Sequence, residues 1–379
     1  ERLGRYAQGE ALARRALRMT RRLYGPDSPQ AAAALNSVGW MLHQRGAYAA
    51  ADSALYEALT LRRAQLGPQH LDVARTLNDL AVVRQARGEY RAADTLLQDA
   101  LAIRRQQLGD DDPSVATTLN NVAALKWRLG DYVSAEAQMR EVLEILRAQY
   151  GPEHMRVAVA TSNLAALLMS QGDYDGAEPL YREALAMRRT LLGDEHPDVA
   201  HSLVHLGNLL RAQSKPAEAL PLLREALSMR RTLLGDKHRL VADTHRLLAL
   251  VYRHTDDYAP AKRHYRQALS GYQAALPEGH AKTAQALMEL GNMYVAESVP
   301  RRAEPMLRDA LAMQQENFGA EHVLTVKAQA ALGICLMRQR QYPAAESLLV
   351  AAHARLADLQ GATTNTTQRI ESALVDLYE

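Results

Sequence analysis

The sequence is short of the residues that most globular proteins use to staple or fill a core. In 379 residues it has one cysteine (Cys335), one phenylalanine and two tryptophans, and aromatic residues make up only 5%. A single cysteine excludes an internal disulfide framework. Strand-forming residues are scarce, while Ala, Leu and Arg are abundant, so an all-α fold is predicted. An excess of charge of one sign is also missing. The 45 basic and 43 acidic side chains leave a net charge of +2, which gives no global field for nucleic acid or an anionic membrane. No run approaches 18 uninterrupted apolar residues, so no spanning helix and no membrane insertion are expected. The first residues lack the basic-then-apolar layout of a signal peptide, and there is no initiator Met. The expectation is a piece of a longer polypeptide that works in the cytoplasm. A hydrophobic content of 47% is that of a folded chain.

What is present is a repeat. Glycine stands at Gly25, Gly67, Gly109, Gly151, Gly193, Gly235, Gly319 and Gly361, always a multiple of 42 residues apart, with Pro277 in the one remaining slot. Chance would fill roughly 0.5 of these nine slots. Twenty-six residues after each slot comes an alanine, from Ala51 through Ala135 and Ala177 to Ala345. Fourteen residues after it comes Gly39, Ala81, Ala123, Ala165, Gly207, Ala249, Gly291 or Gly333. Tyr48, Tyr90, Tyr132, Tyr174, Tyr258 and Tyr342 share a further column. Each unit reads as two helices: the first opens about three residues after the slot, and the second runs from the Tyr column to the next slot. Small residues mark close helix crossings, and Leu55, Leu97, Met139, Tyr181 and Leu223 form a buried stripe. One pair cannot bury both of its apolar faces, so the units must stack. Ser28, Asp112 and a run of histidines from His70 to His322 stand where the first helix needs an N-cap. The slot glycine closes the preceding helix.

Leu-Gly-Asp-Glu-His-Pro-Asp-Val-Ala (192–200), Thr-Leu-Asn-Asn-Val-Ala (118–123) and Gly-Asp-Tyr-Asp-Gly-Ala-Glu-Pro-Leu-Tyr-Arg-Glu-Ala-Leu (172–185) resemble the 42-residue tetratricopeptide repeats of kinesin light chains. Similar repeats occur in many bacterial multidomain proteins. The resemblance covers essentially the whole chain and implies a right-handed α-α superhelix. Residues 1–24 make a lone second helix, 25–360 eight full pairs, and 361–379 a first helix acting as a polar cap, with Thr363, Thr364, Asn365, Thr366 and Thr367 at its start. Agreement weakens in units six to eight, where Asp256, Ser298 and Arg340 replace the turn glycine. The function implied is a non-catalytic scaffold that binds a partner's peptide segment in a concave groove. The alternative is a sensor or regulatory arm of a bacterial signalling enzyme, such as a Ser/Thr kinase, a nucleotide-switch NTPase or a caspase-like protease, with its catalytic domain elsewhere.

The motifs of catalysis are missing: no phosphate-cradling glycine loop, no HExxH and no nucleophile elbow. Neither an enzyme nor a cofactor is expected. The acid column (Glu57, Asp99, Glu141, Glu183, Glu225, Asp309) reads as solvated charge. The arginine pairs Arg62-Arg63, Arg104-Arg105, Arg188-Arg189 and Arg230-Arg231 read as complements to the helix dipole. The capping histidines sit one helix pair apart, too far to share a metal. His201 and His205 face one side of a helix, and Asp243 occupies the column of His201 one unit on. These three are the candidate metal ligands, set against a polar groove lining as the alternative.

In proteins with such repeats the first helices line the groove. Carried over column by column, the groove residues are Asn36, Trp40, Arg75, Asn78, Asn120, Asn121, Trp127, Asn163, His201, His205, Asn208, Arg211, Arg246 and Arg253. An asparagine ladder offers donors and acceptors to an extended main chain. The alternative is that some of these asparagines bridge neighbouring first helices. Trp40 and Trp127 suit a peptide hot spot or a crevice between helices. Arg211, Arg246 and Arg253 make one stretch basic and suited to an acidic peptide, with Asp243 partly offsetting them.

Overall fold

The computed structural model describes residues 2–360 and 365–378. Gly361, Thr363 and Thr364, expected to open the last helix, lie outside the described residues, as does the Asn365 side chain. The chain divides into two compact units, Glu1–Leu191 and Leu192–Glu379. The first holds α1 (Arg2–Tyr24), α2 (Pro29–Gln44), α3 (Tyr48–Leu66), α4 (Leu71–Ala86), α5 (Tyr90–Leu108), α6 (Pro113–Arg128), α7 (Tyr132–Tyr150), α8 (Met155–Gln171) and α9 (Tyr174–Leu192). The second holds α10 (Pro197–Ala212), α11 (Pro216–Leu234), α12 (Arg239–His254), α13 (Tyr258–Ala275) and α14 (Ala281–Ala296). It continues with α15 (Pro300–Phe318), α16 (Val323–Arg338), α17 (Tyr342–Gln360) and α18 (Asn365–Tyr378). Among the described residues every regular element is a helix, as composition and period predict.

The helix ends follow the columns. Ser28 Oγ accepts from the Ala31 N–H (3.2 Å) and Asp112 Oδ1 from the Ser114 N–H (2.7 Å). Six histidines cap in the same way. The Nδ1 atoms of His70, His154, His196, His238 and His280 each accept the N–H two residues on at 3.1 Å, and His322 does so at 3.3 Å. A lone pair on Nδ1 requires the neutral ring with its hydrogen on Nε2. Gly67 closes α3 at φ 83° and ψ 158°, a region essentially reserved for glycine, and its N–H reaches back to Arg63. Pro277 cannot supply that N–H, and α13 ends one residue early, with Leu276 in extended conformation.

The small columns sit where first and second helices cross. A Cβ added to Gly207 would stand 2.7 Å from Leu223 Cγ, and one on Gly39 2.5 Å from Leu55 Cγ. Ala51, Ala93, Ala135, Ala177, Ala219, Ala261, Ala303 and Ala345 are fully buried, as are Leu55, Leu97 and Leu223 in the stripe. Within each unit the core is a ribbon between two rows of helices. Cys335 is buried in it, and desolvation pushes its thiol up.

The arginine pairs do more than the sequence suggested. The first of each pair is buried, and Arg62, Arg104 and Arg230 each tie a second helix to the next first helix. Arg62 donates to the Asp72 carbonyl (2.9 Å) and the Thr76 hydroxyl (2.5 Å), and Arg104 to Ser114 (2.7 Å) and Thr118 (2.6 Å). Arg230 does the same to Leu240 (3.0 Å) and Thr244 (2.8 Å). The partner threonine lies 14 residues downstream, too far in sequence to be read as a contact. One residue on, the second column of arginines meets the acid column of the next repeat: Arg21 with Glu57, Arg105 with Glu141, and Arg147 with Glu183 (2.7 Å). These acids are therefore partnered.

Candidate peptide groove

Successive first helices are bridged through side chains 43 residues apart. Asn36 Nδ2 donates to Asp79 (2.8 Å), Asn121 Nδ2 to Asn78 Oδ1 (2.9 Å), and Asn163 Nδ2 to Asn120 Oδ1 (3.1 Å). In the second unit the same offset joins Arg246 to Glu289 through three hydrogen bonds of 2.6–3.1 Å. The offset is one repeat plus one residue, so each rung runs diagonally across two stacked helices. The asparagine ladder thus serves first as mortar between repeats. Asn36 is spent on both sides, since its Oδ1 also accepts from Arg62 (3.3 Å), and Asn78 is buried.

Residual capacity remains in the first unit. Between α6, α7 and α8 lies a pocket of about 360 Å³. Thr117, Asn120, Asn121 and Asn163 give it a polar rim, and Arg156 stands at its edge. Val142 and Leu146 of α7, with Ala116, Met155, Val159 and Ala160, make the apolar floor. Asn121 and Asn163 each use the amide nitrogen in the ladder and keep the carbonyl oxygen; Asn120 uses its oxygen and keeps the nitrogen. The rim therefore presents both acceptors and a donor over an apolar depression. The floor residues from α7 were not legible as groove residues, because a second helix reaches the groove only where neighbouring first helices leave a gap.

The other predicted residues are more dispersed. Trp40 and Trp127 are each 38% exposed and neither lines the pocket. Trp40 packs beside His43, with ring centroids 5.3 Å apart. Arg75 is exposed, 3.8 Å from Asp72. Arg211 donates twice to Asn208 Oδ1 (3.1 and 3.0 Å), so these two form one group. Arg253 is exposed. Arg246 is not the free groove cation that the sequence suggested: burial works against its charge, but Glu289 outweighs that and holds its pKa above the ordinary value.

The candidate metal triad is not assembled. His201 and His205 face each other, Nε2 to Nε2 at 3.0 Å and edge to face. Asp243 is engaged by Lys282 (2.6 Å), Tyr272 (2.8 Å) and Arg239 (3.2 Å). Among the described residues no group of three or more His, Cys, Asp or Glu side chains is placed to hold a metal ion. No described helix is long and apolar enough to cross a membrane.

The comparisons with known proteins follow the repeat. A profile described as "Tetratricopeptide repeat" matches residues 1–64, 46–106, 72–148, 114–189, 156–232 and 203–274, and a second of the same description matches 283–324. Among solved structures, BtubC (BKLC) from P. vanneervenii is 27% identical, with 61% of this chain and 92% of that one covered at a TM-score of 0.54. The apo form of the quorum sensor NprR from B. thuringiensis is 14% identical over 81% of this chain and 83% of that one (TM-score 0.64). A Rap protein complexed with competence and sporulation factor is 13% identical over 93% and 98% (TM-score 0.51). No curated protein sequence matches significantly. Repeats of this kind build protein-interaction scaffolds, and the profiles cover most of this sequence. The chain belongs to the tetratricopeptide repeat family.

Proposed function

We propose that this chain is a non-catalytic scaffold that holds an extended segment of a partner protein along its first helices, anchored in the pocket between α6 and α8. The observation that carries this reading is the pocket itself. Its apolar floor suits one buried side chain of the partner, and the uncommitted amide groups of Asn120, Asn121 and Asn163 suit main-chain groups on either side. An extended segment has unpaired N–H and C=O groups that such a rim satisfies. In the second unit, the exposed Arg253 suits an acidic segment, whereas Arg246 is neutralised by Glu289.

Val159 is exposed and lines the pocket, so Val159→Trp fills the space without disturbing the ladder. Partner capture from source lysate should fall at least tenfold, with the melting temperature unchanged. Glu183→Gln, on a second helix, should retain capture. The reverse result, retention by Val159→Trp and loss by Glu183→Gln, would place the binding face on the second helices and sink the proposal.

A further inference from the structure

A second pocket, of about 580 Å³, lies in the second unit between α11, α12 and α13. Arg224, Arg231 and Arg263 line it, with the hydroxyls of Ser228 and Thr232. One carboxylate is present, Asp236, which is paired with Arg231. The Tyr252 hydroxyl accepts from Arg224 and orients that guanidinium.

What singles this place out is the loss of acids that balance the same arginines elsewhere. In the column of Arg224, Arg140, Arg182 and Arg308 each pair with a glutamate four residues earlier (2.8 Å each). At Arg224 that residue is Leu220, and at Arg266 it is Lys262. In the column of Arg231, the partner stands 36 residues on, as Glu141 does for Arg105 and Glu183 for Arg147. For Arg231 it is Gln267. Helix α13 has three cations and no acid. His264, also in the wall, is held low first by burial and then by the fields of Arg263 and Arg224.

We propose that this pocket binds a phosphate group, held by Arg224, Arg231 and Arg263 with the Ser228 hydroxyl donating to a further oxygen; the Thr232 hydroxyl is spent on the Ser228 carbonyl (3.2 Å). Several guanidiniums lining one site match the geometry and charge of a phosphate. One hydroxyl donor completes the set. Replacing the two compensating acids of Arg224 and Arg231 by Leu220 and Gln267 leaves positive charge that a bound dianion would balance. Asp236 then shares Arg231 with the ligand.

The test is calorimetric titration with inorganic phosphate, pyrophosphate and ADP, at constant ionic strength set by chloride. Saturable binding is expected. Arg263→Gln should weaken it at least tenfold. So should Leu220→Glu with Gln267→Glu, which restores the acids and leaves every arginine in place. Arg308→Gln, in a balanced repeat, should change nothing. Equal affinity for all three ligands identifies free phosphate as the source, tighter binding of pyrophosphate and ADP alike identifies a diphosphate group, and tighter binding of ADP than of pyrophosphate identifies a phosphate ester. Absence of saturable binding by any of the three, or binding undiminished in both pocket variants, would overturn the proposal.

Discussion

Four turns place a side chain where the backbone is left-handed: Ser214, Asp256, Ser298 and Arg340 have φ between 55° and 62°. Gly46, Gly88, Gly130 and Gly172 hold the same place in the earlier repeats. A Cβ in this region costs roughly 1–2 kcal/mol, partly offset by the lower unfolded entropy of a non-glycine residue. Arg340→Gly should therefore stabilise by about 0.5–1 kcal/mol in chemical denaturation. Asp256→Gly should gain less, because Asp256 accepts a hydrogen bond from Tyr258 (2.8 Å). A second residue-scale effect concerns pH. His245 and His264 meet at 2.9 Å through their Nδ1 atoms. Burial comes first and neighbouring cations second, and together they push both imidazoles down to about 4. Unfolded, each would take up a proton near pH 6.5. Between about pH 4 and 6.5 the unfolded chain binds more protons, so stability is full above this window and is lost as pH falls through it. One such histidine accounts for on the order of 3 kcal/mol. Melting curves from pH 7.5 to 4.5 should show the loss. Other repeats carry leucines at these two places, Leu77 with Leu96 and Leu203 with Leu222. His245→Leu with His264→Leu should flatten the profile, and an equally steep profile in the variant would rule this pair out as its source.

Between elements, the diagonal rungs are coupled pairs. Glu289 is buried and Arg246 is its cation. Arg246→Leu leaves that carboxylate uncompensated and should cost about 3 kcal/mol or more. Adding Glu289→Leu should recover most of the loss, since Val204 and Leu247 occupy these two columns one repeat earlier as an apolar pair. A double-mutant cycle by urea denaturation measures the coupling. Additive losses would show that the two side chains act independently. The same logic makes Asn78→Ala with Asn120→Ala a poor probe of binding. Both residues accept ladder hydrogen bonds, so their loss is felt in the stacking of the helices as well as in the groove.

At the scale of the whole molecule, repeats touch only their neighbours, and stability is a sum of local terms. Arg62 is the link between α3 and α4. Arg62→Leu removes three charge-assisted hydrogen bonds, to the Asp72 carbonyl, the Thr76 hydroxyl and Asn36 Oδ1, at a cost of about 2 kcal/mol. Amide exchange should speed up in α2 to α5 and remain unchanged in α7. A uniform loss of protection across both would show that the first unit opens as one body instead.

The sequence by itself determined the helices, their ends and the columns that face the core. Each of these follows from a local cause: a cap side chain, a glycine-only backbone conformation, a small residue at a crossing. Repetition made these causes visible, because every column is sampled many times. What only the tertiary structure decided is which side chains are already spent. Arg62 with Thr76, Arg246 with Glu289 and Asn121 with Asn78 are separated by 14 or 43 residues and meet only when helices stack at a fixed angle and offset. That stacking turned supposed surface arginines into buried ties and most of the asparagine ladder into mortar. Between α6 and α8 it left the second amide group of Asn120, Asn121 and Asn163 outside the ladder, and between α11 and α13 it set Arg224, Arg231 and Arg263 around one pocket.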